Sequence, residues 1–307
     1  MSLHARVSAF LTPLALASAC GPAPQSAFDP VTADLAATDT VGPPTLISFQ
    51  LDVSGSSIHG VAYLAQGVAP HPTLLLLPGY PGYERHLDVA HAVRRVGVNV
   101  ISISYRGTWG SGGLMSPMNA VQDVAAAVAH LREPDGARRY RTDSTRIALL
   151  GHSLGSWVAL NAAAADPRID CVGGLATTNL GLLVRMAMDD ERFRAALTQS
   201  IRAAAGPDGP VRLLTNDPVA ELVSDPDVYD LLPRAAALAP KAVLLAGARQ
   251  DREAVLDQHH IPFAAALRDA GARRLTEVVL DTDHNFSATR IALARAVVGW
   301  LRNACGY

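Results

Sequence analysis

The chain of 307 residues predicts an α/β domain, a mostly parallel, doubly wound sheet with helices on both faces. Three observations carry that expectation. Short apolar runs of strand type alternate with helical stretches from about residue 45 onward. The run Thr73-Leu-Leu-Leu-Leu77 is apolar throughout, as in strands covered on both faces. Every glycine-rich or chemistry-bearing motif follows the carboxyl end of such a run, where ligands bind in these sheets.

The elements follow in order. Residues 45–51 and 57–64 alternate or run apolar around Gly55 and read as an opening hairpin. The 73–77 strand ends in Pro78-Gly79-Tyr80-Pro81-Gly82. Residues 84–96 then read as a helix, with Leu87, Ala90 and Val93 on one side, closed by Gly97. A strand over 98–105 runs into Arg106-Gly107-Thr-Trp-Gly110-Ser-Gly-Gly113, and a helix over 120–132 stops at Glu133-Pro134. A strand over 147–150 leads into Gly151-His-Ser153-Leu-Gly155 and an Ala-rich helix reaching Ala165. Strands at 172–176, 242–246 and 276–280 come next. An amphipathic helix over 288–303 closes the chain, with Leu293, Val297, Val298 and Leu301 on its apolar side.

One connection breaks this rhythm. Residues 178–240 contain no clear strand, although connections in such sheets run about 2–6 residues. Leu182, Met186, Phe193, Leu197 and Ile201 recur at helical spacing, ended by Gly206-Pro207. Asp217-Pro218 and Asp225-Pro226 read as starts of two short helices, because proline fits the first turn. The segment is expected to form a small helical cap over the site. Leu182, Leu183, Met186 and Met188 are candidates for an apolar binding wall there, or for cap core.

The front end reads differently. His4 and Arg6 precede an apolar run over 7–17, too short to span a bilayer, followed by Ala17-Ser-Ala19 and Cys20. Residues 1–19 are therefore expected to be an export signal. Leu16-Ala-Ser-Ala-Cys20 resembles a bacterial lipoprotein signal, which would put an acyl anchor on Cys20 and the protein in the bacterial cell envelope. Ala17 stands where a large aliphatic residue is usual, so cleavage after Ala19 to a periplasmic or secreted protein is the alternative. Residues 20–44, rich in Pro and Ala, read as a tether, leaving 45–307 as the folded domain. The formal net charge of −2 and an aromatic content of 5% give nucleic acid nothing to bind to. No Cys/His spacing suggests a metal, and no cofactor is expected. Cys171 reads as a small core residue, and its pairing with Cys305 stays open.

The chemistry centres on Ser153. A strand, Gly-x-Ser-x-Gly and a helix in immediate succession lift a serine onto a sharp turn above the sheet. A Cβ at Gly151 or Gly155 would crowd the neighbouring strand and helix. A serine hydroxyl needs a base, itself oriented by a third group. His284 lies just past the last strand, and Asp251 just past the strand before it. The order Ser…Asp…His then matches that expected of this arrangement, with Asp257, Asp281 and Asp283 as rivals for the acid. Two N–H donors should face the developing oxyanion: Leu154, which follows the nucleophile, and Tyr80 in the loop after the third strand. Pro81 has no N–H to offer. His152 is expected to pack beneath the turn, His259 and His260 to be solvated or capping, and Arg106 to tie the 107–113 loop.

With Pro78-Gly-Tyr-Pro-Gly82, Ser104-Tyr-Arg-Gly-Thr-Trp-Gly-Ser111, Gly151-His-Ser-Leu-Gly155, Asp251 and Asp283-His284 in this order, the chain resembles the α/β-hydrolase superfamily from about residue 45 onward. It looks most like the serine-aminopeptidase-like and acyl-peptidase-like members. Pro78 stands where many members have histidine, and Ser156 where a second glycine often follows. The resemblance implies acyl transfer to water through Ser153, with a small-molecule ester or a peptide-like substrate. Ester cleavage is preferred, because no acidic residue can be assigned to gripping a substrate amino terminus. An exported serine peptidase or aminopeptidase is the alternative, and a catalytically silent envelope binding protein is the rival from another class.

Overall fold

The computed structural model describes residues 28–307, so the expected export signal and Cys20 lie outside the described residues. Eight strands form one sheet: β1 (Thr45–Val53), β2 (Ser56–Leu64), β3 (His71–Leu77), β4 (Asn99–Ile103), β5 (Thr142–His152), β6 (Cys171–Leu175), β7 (Ala242–Ala248) and β8 (Leu275–Leu280). Their order is β1-β2-β4-β3-β5-β6-β7-β8. The β1–β2 and β2–β4 pairs are antiparallel and all others parallel, so β2 alone runs against the sheet.

Helices α1 (Leu87–Arg95) and α10 (Arg290–Asn303) cover one face, joined to it through Val89, Val93, Leu293 and Val297. The other face carries α2 (Pro117–Arg132), α4 (Leu154–Ala165) and α9 (His260–Asp269), packed through Val124, Trp157, Leu160 and Phe263. Strands β4, β6 and β7 are buried at every position, which explains the unbroken apolar runs of β6 and β7, while β4 buries Asn99 and Ser102 among its apolar residues. β3 sits between β4 and β5, so the chain reverses its direction across the sheet there. The loop after β3 and the turn after β5 therefore share one crevice at the strands' carboxyl ends.

Some boundaries differ from expectation for identifiable reasons. α1 starts at Leu87, three residues late, because His86 takes a left-handed conformation at φ 49°. Pro134 stops α2 but also begins α3 (Pro134–Tyr140), since proline lacks only an N–H that a first turn would leave unpaired. Residues 28–44 lie against the domain. Arg95 donates to the carbonyl of Val31 at 3.2 Å, and Arg295 to Asp29 at 2.7 Å. Cys171 and Cys305 form a disulfide with their Cα atoms 5.9 Å apart, joining the start of β6 to the chain end.

Between β6 and β7 the chain is helical. α5 (Leu180–Asp189), α6 (Glu191–Ala203), α7 (Pro218–Val223) and α8 (Ala235–Leu238) are joined by 3₁₀ turns at Pro226–Tyr229 and Leu232–Arg234. The single apolar periodicity over 182–201 divides into two helices at Asp190. Its extended backbone ends α5, and its carboxylate caps α6 by accepting from Arg192 and Phe193 N–H. The insertion is pinned by polar contacts. Trp157 Nε1 donates to Tyr229 O at 2.8 Å, and Asn179 Oδ1 accepts from Gly181 and Leu231 N–H at 3.1 and 3.0 Å. Among the described residues no helix is long and apolar enough to cross a membrane.

Candidate active site

Ser153 occupies the turn between β5 and α4 with φ 54° and ψ −120°, a conformation that costs a non-glycine residue about 1–3 kcal/mol. Close packing enforces the turn. A Cβ on Gly151 would lie 1.9 Å from Gly155 O, and one on Gly155 would lie 2.4 Å from Leu77 O. Ser153 N–H donates to Leu175 O at 2.9 Å, fixing the turn to β6. Ser156 secures it from below: its hydroxyl donates to Ser153 O at 2.6 Å and accepts from Thr178 N–H at 3.3 Å. A glycine at that position would offer neither bond.

The structure brings His284 and Asp251 together from two adjacent loops. His284 Nδ1 lies 2.7 Å from Asp251 Oδ2. A carboxylate can only accept, so Nδ1 carries the proton and Nε2 is left free as a base. Asp251 Oδ1 accepts from Glu253 and Ala254 N–H at 2.8 and 2.9 Å, which holds the carboxylate in one orientation. Burial opposes ionisation of Asp251, but the His284 hydrogen bond and charge and these two N–H groups outweigh it and lower its pKa. Burial likewise disfavours the His284 imidazolium, yet the Asp251 hydrogen bond and charge, with Glu253 and Asp283, raise its pKa above 6.5. The rival acids point elsewhere. Asp281 accepts from Gln250 Nε2 at 3.0 Å, Asp283 caps Ser287 N–H at 2.7 Å, and Asp257 is exposed.

The β3–α1 loop lies against the serine: a Cβ on Gly79 would be 3.0 Å from Ser153 Cβ. Tyr80 follows, joined to Pro81 by a cis peptide bond, and its N–H donates to no backbone acceptor. Leu154 is the first residue of α4, where the N–H has no partner within the helix. The two expected oxyanion donors therefore keep free N–H groups on elements that meet at Ser153. The Tyr80 hydroxyl donates to Ile201 O on α6, linking this loop to the insertion, and burial pushes its pKa up to about 12.

The His284 ring is backed by two more histidine rings in tilted and edge-on contact. His152 lies 4.8 Å from His284 and 4.6 Å from His86, centre to centre. His152 Nε2 donates to the carbonyl of His284 at 2.9 Å, steadying the loop that bears it. Burial, then the His284 charge, depresses the His152 pKa to about 4, so this ring is neutral. His259 and His260, expected at the surface, are buried. His259 Nδ1 accepts from Asn179 N–H at 3.0 Å, while His260 Nε2 lies 3.3 Å from Glu277. Arg106 does not tie the 107–113 loop. Its buried guanidinium pairs with Asp123 on α2 and donates to Asn119 O at 3.0 Å and Gln122 Oε1 at 2.8 Å.

Of three cavities that border this group among the described residues, one lies along Asp251, Arg252 and Asp283, and the other two meet at Tyr80 and Glu253. The first of these two, of about 360 Å³, runs from Ser153 under the insertion and is walled by Leu183, Phe193, Leu197, Ile201, Leu213 and Leu222. Leu183 alone of the four wall candidates Leu182, Leu183, Met186 and Met188 lines it. The expected helical stripe of Phe193, Leu197 and Ile201 does so, as do Met115 and Ser116 at the start of α2. Leu213 and Leu214 enter because Thr108 and Met115 form bridges to Val211 and Leu213, a pairing no periodicity announces. The second cavity, of about 460 Å³, lies beside His284 and is lined by Gly79–Glu84, His152, Glu253, Asn285 and Ser287. Tyr80 and Glu253 border both cavities. Among the described residues no group of three or more His, Cys, Asp or Glu side chains is placed to hold a metal ion.

Comparison with known proteins agrees with this architecture. Solved structures share it at low identity. The esterase Pf2001 of Pyrococcus furiosus superposes with a TM-score of 0.62 at 16% identity, over 86% of this chain and 92% of that one. A 2,6-dihydroxy-pseudo-oxynicotine hydrolase gives 0.62 at 17% identity, over 86% and 69%. A puromycin-hydrolysing peptidase of Mycobacterium tuberculosis gives 0.61 at 19% identity, over 87% of this chain but 40% of that one. No curated protein matches the sequence. Residues 74–301 match the family described as the alpha/beta hydrolase family, to which this chain belongs.

Proposed function

We propose that this protein is a serine hydrolase that cleaves a carboxylic ester through an acyl-enzyme intermediate, with Ser153 as nucleophile, His284 as base and Asp251 as orienting acid. The observation that carries the reading is the 2.7 Å Asp251–His284 contact at the strand ends, together with a serine in a strained turn at the end of β5. As Ser153 Oγ bonds to the substrate carbonyl carbon, its proton passes to His284 Nε2. The carbonyl oxygen takes negative charge and is met by the Tyr80 and Leu154 N–H groups. The bond to the leaving alcohol then breaks, and His284 Nε2 delivers the proton to it. Water repeats the sequence on the acyl enzyme, its proton passing through His284 back to Ser153. The apolar cavity suits the acyl chain. Amides are the alternative substrates, and the fold likeness to a puromycin-hydrolysing peptidase gives that alternative a concrete form. An acyl group on Cys20 would hold the enzyme at the envelope surface.

The test is hydrolysis of p-nitrophenyl esters of increasing acyl length beside aminoacyl p-nitroanilides, with Ser153→Ala as control. The proposal expects ester turnover that falls by about 10⁴–10⁶ in kcat in the variant. Turnover of anilides alone would make the enzyme a peptidase, and turnover indifferent to Ser153 would remove the proposal.

A further inference from the structure

We infer that Glu253 makes the cavity beside His284 a subsite for a cationic leaving group, a protonated or quaternary amine carried by the departing alcohol or amine. The inference rests on the serine-hydrolase reading and deepens it. Glu253 Oε2 lies 3.6 Å from His284 Nε2, the atom that would deliver a proton to the leaving group. Its backbone is fixed, since Glu253 N–H bonds Asp251 Oδ1, whereas its side chain is 72% exposed and free to meet a ligand.

The surroundings sharpen the charge preference. Among the described residues no Lys or Arg lines this cavity; its ionisable lining is Glu253, Glu84, Tyr80, Tyr83, His152 and His284. Glu84 is already engaged, 3.5 Å from Arg290 Nη2, and His152 is neutral, so Glu253 is the uncommitted charge. Arg252, next in sequence, lines the apolar cavity and, with Arg249, a neighbouring cavity that shares Glu253, His284 and Asn285, and neither arginine is part of the lining of this one. When His284 takes the serine proton, a cationic leaving group beside it would be repelled. A carboxylate 3.6 Å from Nε2 offsets that repulsion, and it disfavours anionic leaving groups on the same ground. The exposed Tyr83 ring adds an aromatic face on this side, of the kind that attracts quaternary ammonium.

Choline butanoate and 3,3-dimethylbutyl butanoate have the same shape and differ by the charge, which makes them a direct test. Acid release by each is followed by pH-stat, at about 10 mM and about 500 mM salt, since screening acts on an exposed pair. The choline ester should show a kcat/KM about fivefold higher at low salt, the scale of one exposed ion pair. That ratio should fall to near one in Glu253→Gln, invert in Glu253→Lys and shrink at high salt. Each ratio is internal to one variant, so a general loss of activity cannot mimic the effect. Ser153-dependent turnover of both esters with a ratio of one, or an unchanged ratio in Glu253→Gln, overturns the subsite and leaves the hydrolase reading standing. Turnover of neither ester, with no Ser153 labelling by a fluorophosphonate, removes both.

Discussion

Strand β6, beside the strand that carries the Ser153 turn, and strand β7, which leads to Asp251, are buried at every position, whereas helix α6, which walls the apolar cavity, has no buried residue. The first region is fixed from all sides by sheet hydrogen bonds and packing. The second is held mainly at its ends, by Asp190 capping and by the Tyr80 hydroxyl on Ile201 O. The contrast teaches where each property of the enzyme resides. Proton transfer needs atoms held to fractions of an ångström, and those sit on the sheet. Substrate choice tolerates adjustment, and the residues proposed to make it sit on a helix with no buried side chain, the kind of element that opens locally at low cost.

Changes on the sheet side should therefore be severe in kcat and changes on the insertion mild and confined to KM. Asp251→Asn keeps the contact but removes the charge and favours the wrong imidazole tautomer. The expected loss is about 10⁴ in kcat, read from steady-state ester hydrolysis. Its pH profile should move as well. Wild-type kcat/KM should rise as His284 loses its proton, above pH 6.5 because Asp251 raises that pKa. Asp251→Asn should carry this limb to lower pH. An unmoved limb would mean that another group governs it.

Stability should show the same asymmetry through the buried histidines. His152 and His259 are held near pKa 4, largely by burial, and take up protons near 6.5 when unfolded. Between those values the unfolded chain binds more protons, so stability falls as pH drops from about 6.5 to about 4, by about 3 kcal/mol for each ring. His284 works oppositely, since its pKa is raised on folding. Its contribution is present below about 6.5 and lost as pH rises through the folded value. Urea midpoints at pH 7 and pH 4.5 measure the balance, and a lower midpoint at pH 4.5 is expected. Equal midpoints would show these rings to be protonated as easily in the fold as outside it.

The smallest effect belongs to the insertion. Leu197→Ala enlarges the apolar cavity from a helix with no buried residues. It should cost little stability and shift the ester chain-length optimum by one or two carbons, with a few-fold change in KM. A large fall in kcat instead would mean that α6 positions the catalytic groups, and the contrast between the regions would fail.

What the sequence disclosed follows the same division. Strands buried on both faces must be apolar throughout, so β3, β6 and β7 were legible as runs, and Ser153, Asp251 and His284 as residues just beyond strand ends. The insertion was less legible. The stripe Phe193, Leu197 and Ile201 has the period of a core-facing helix but faces a cavity, and the break at Asp190 rests on a side-chain cap within an otherwise continuous apolar pattern. Leu213 and Leu214 enter through isolated bridges, and Glu253 through a backbone bond to Asp251, so neither leaves a periodic trace. Asp251-Arg-Glu253 did hold one signal: a carboxylate two residues past the orienting acid must share its loop. The burial of His259 and His260 and the Cys171–Cys305 bond depend on elements far apart in the chain, which local pattern cannot report.

In the proposed mechanism His284, oriented by Asp251, activates Ser153. The most direct measurement is the rate of inactivation by a fluorophosphonate as a function of pH, with the adduct mapped by mass spectrometry. One adduct per chain is expected, on Ser153, with a rate that rises through a pKa above 6.5 and falls by orders of magnitude in His284→Ala. Labelling elsewhere, or a Ser153 adduct formed at the same rate with and without His284, would contradict that mechanism.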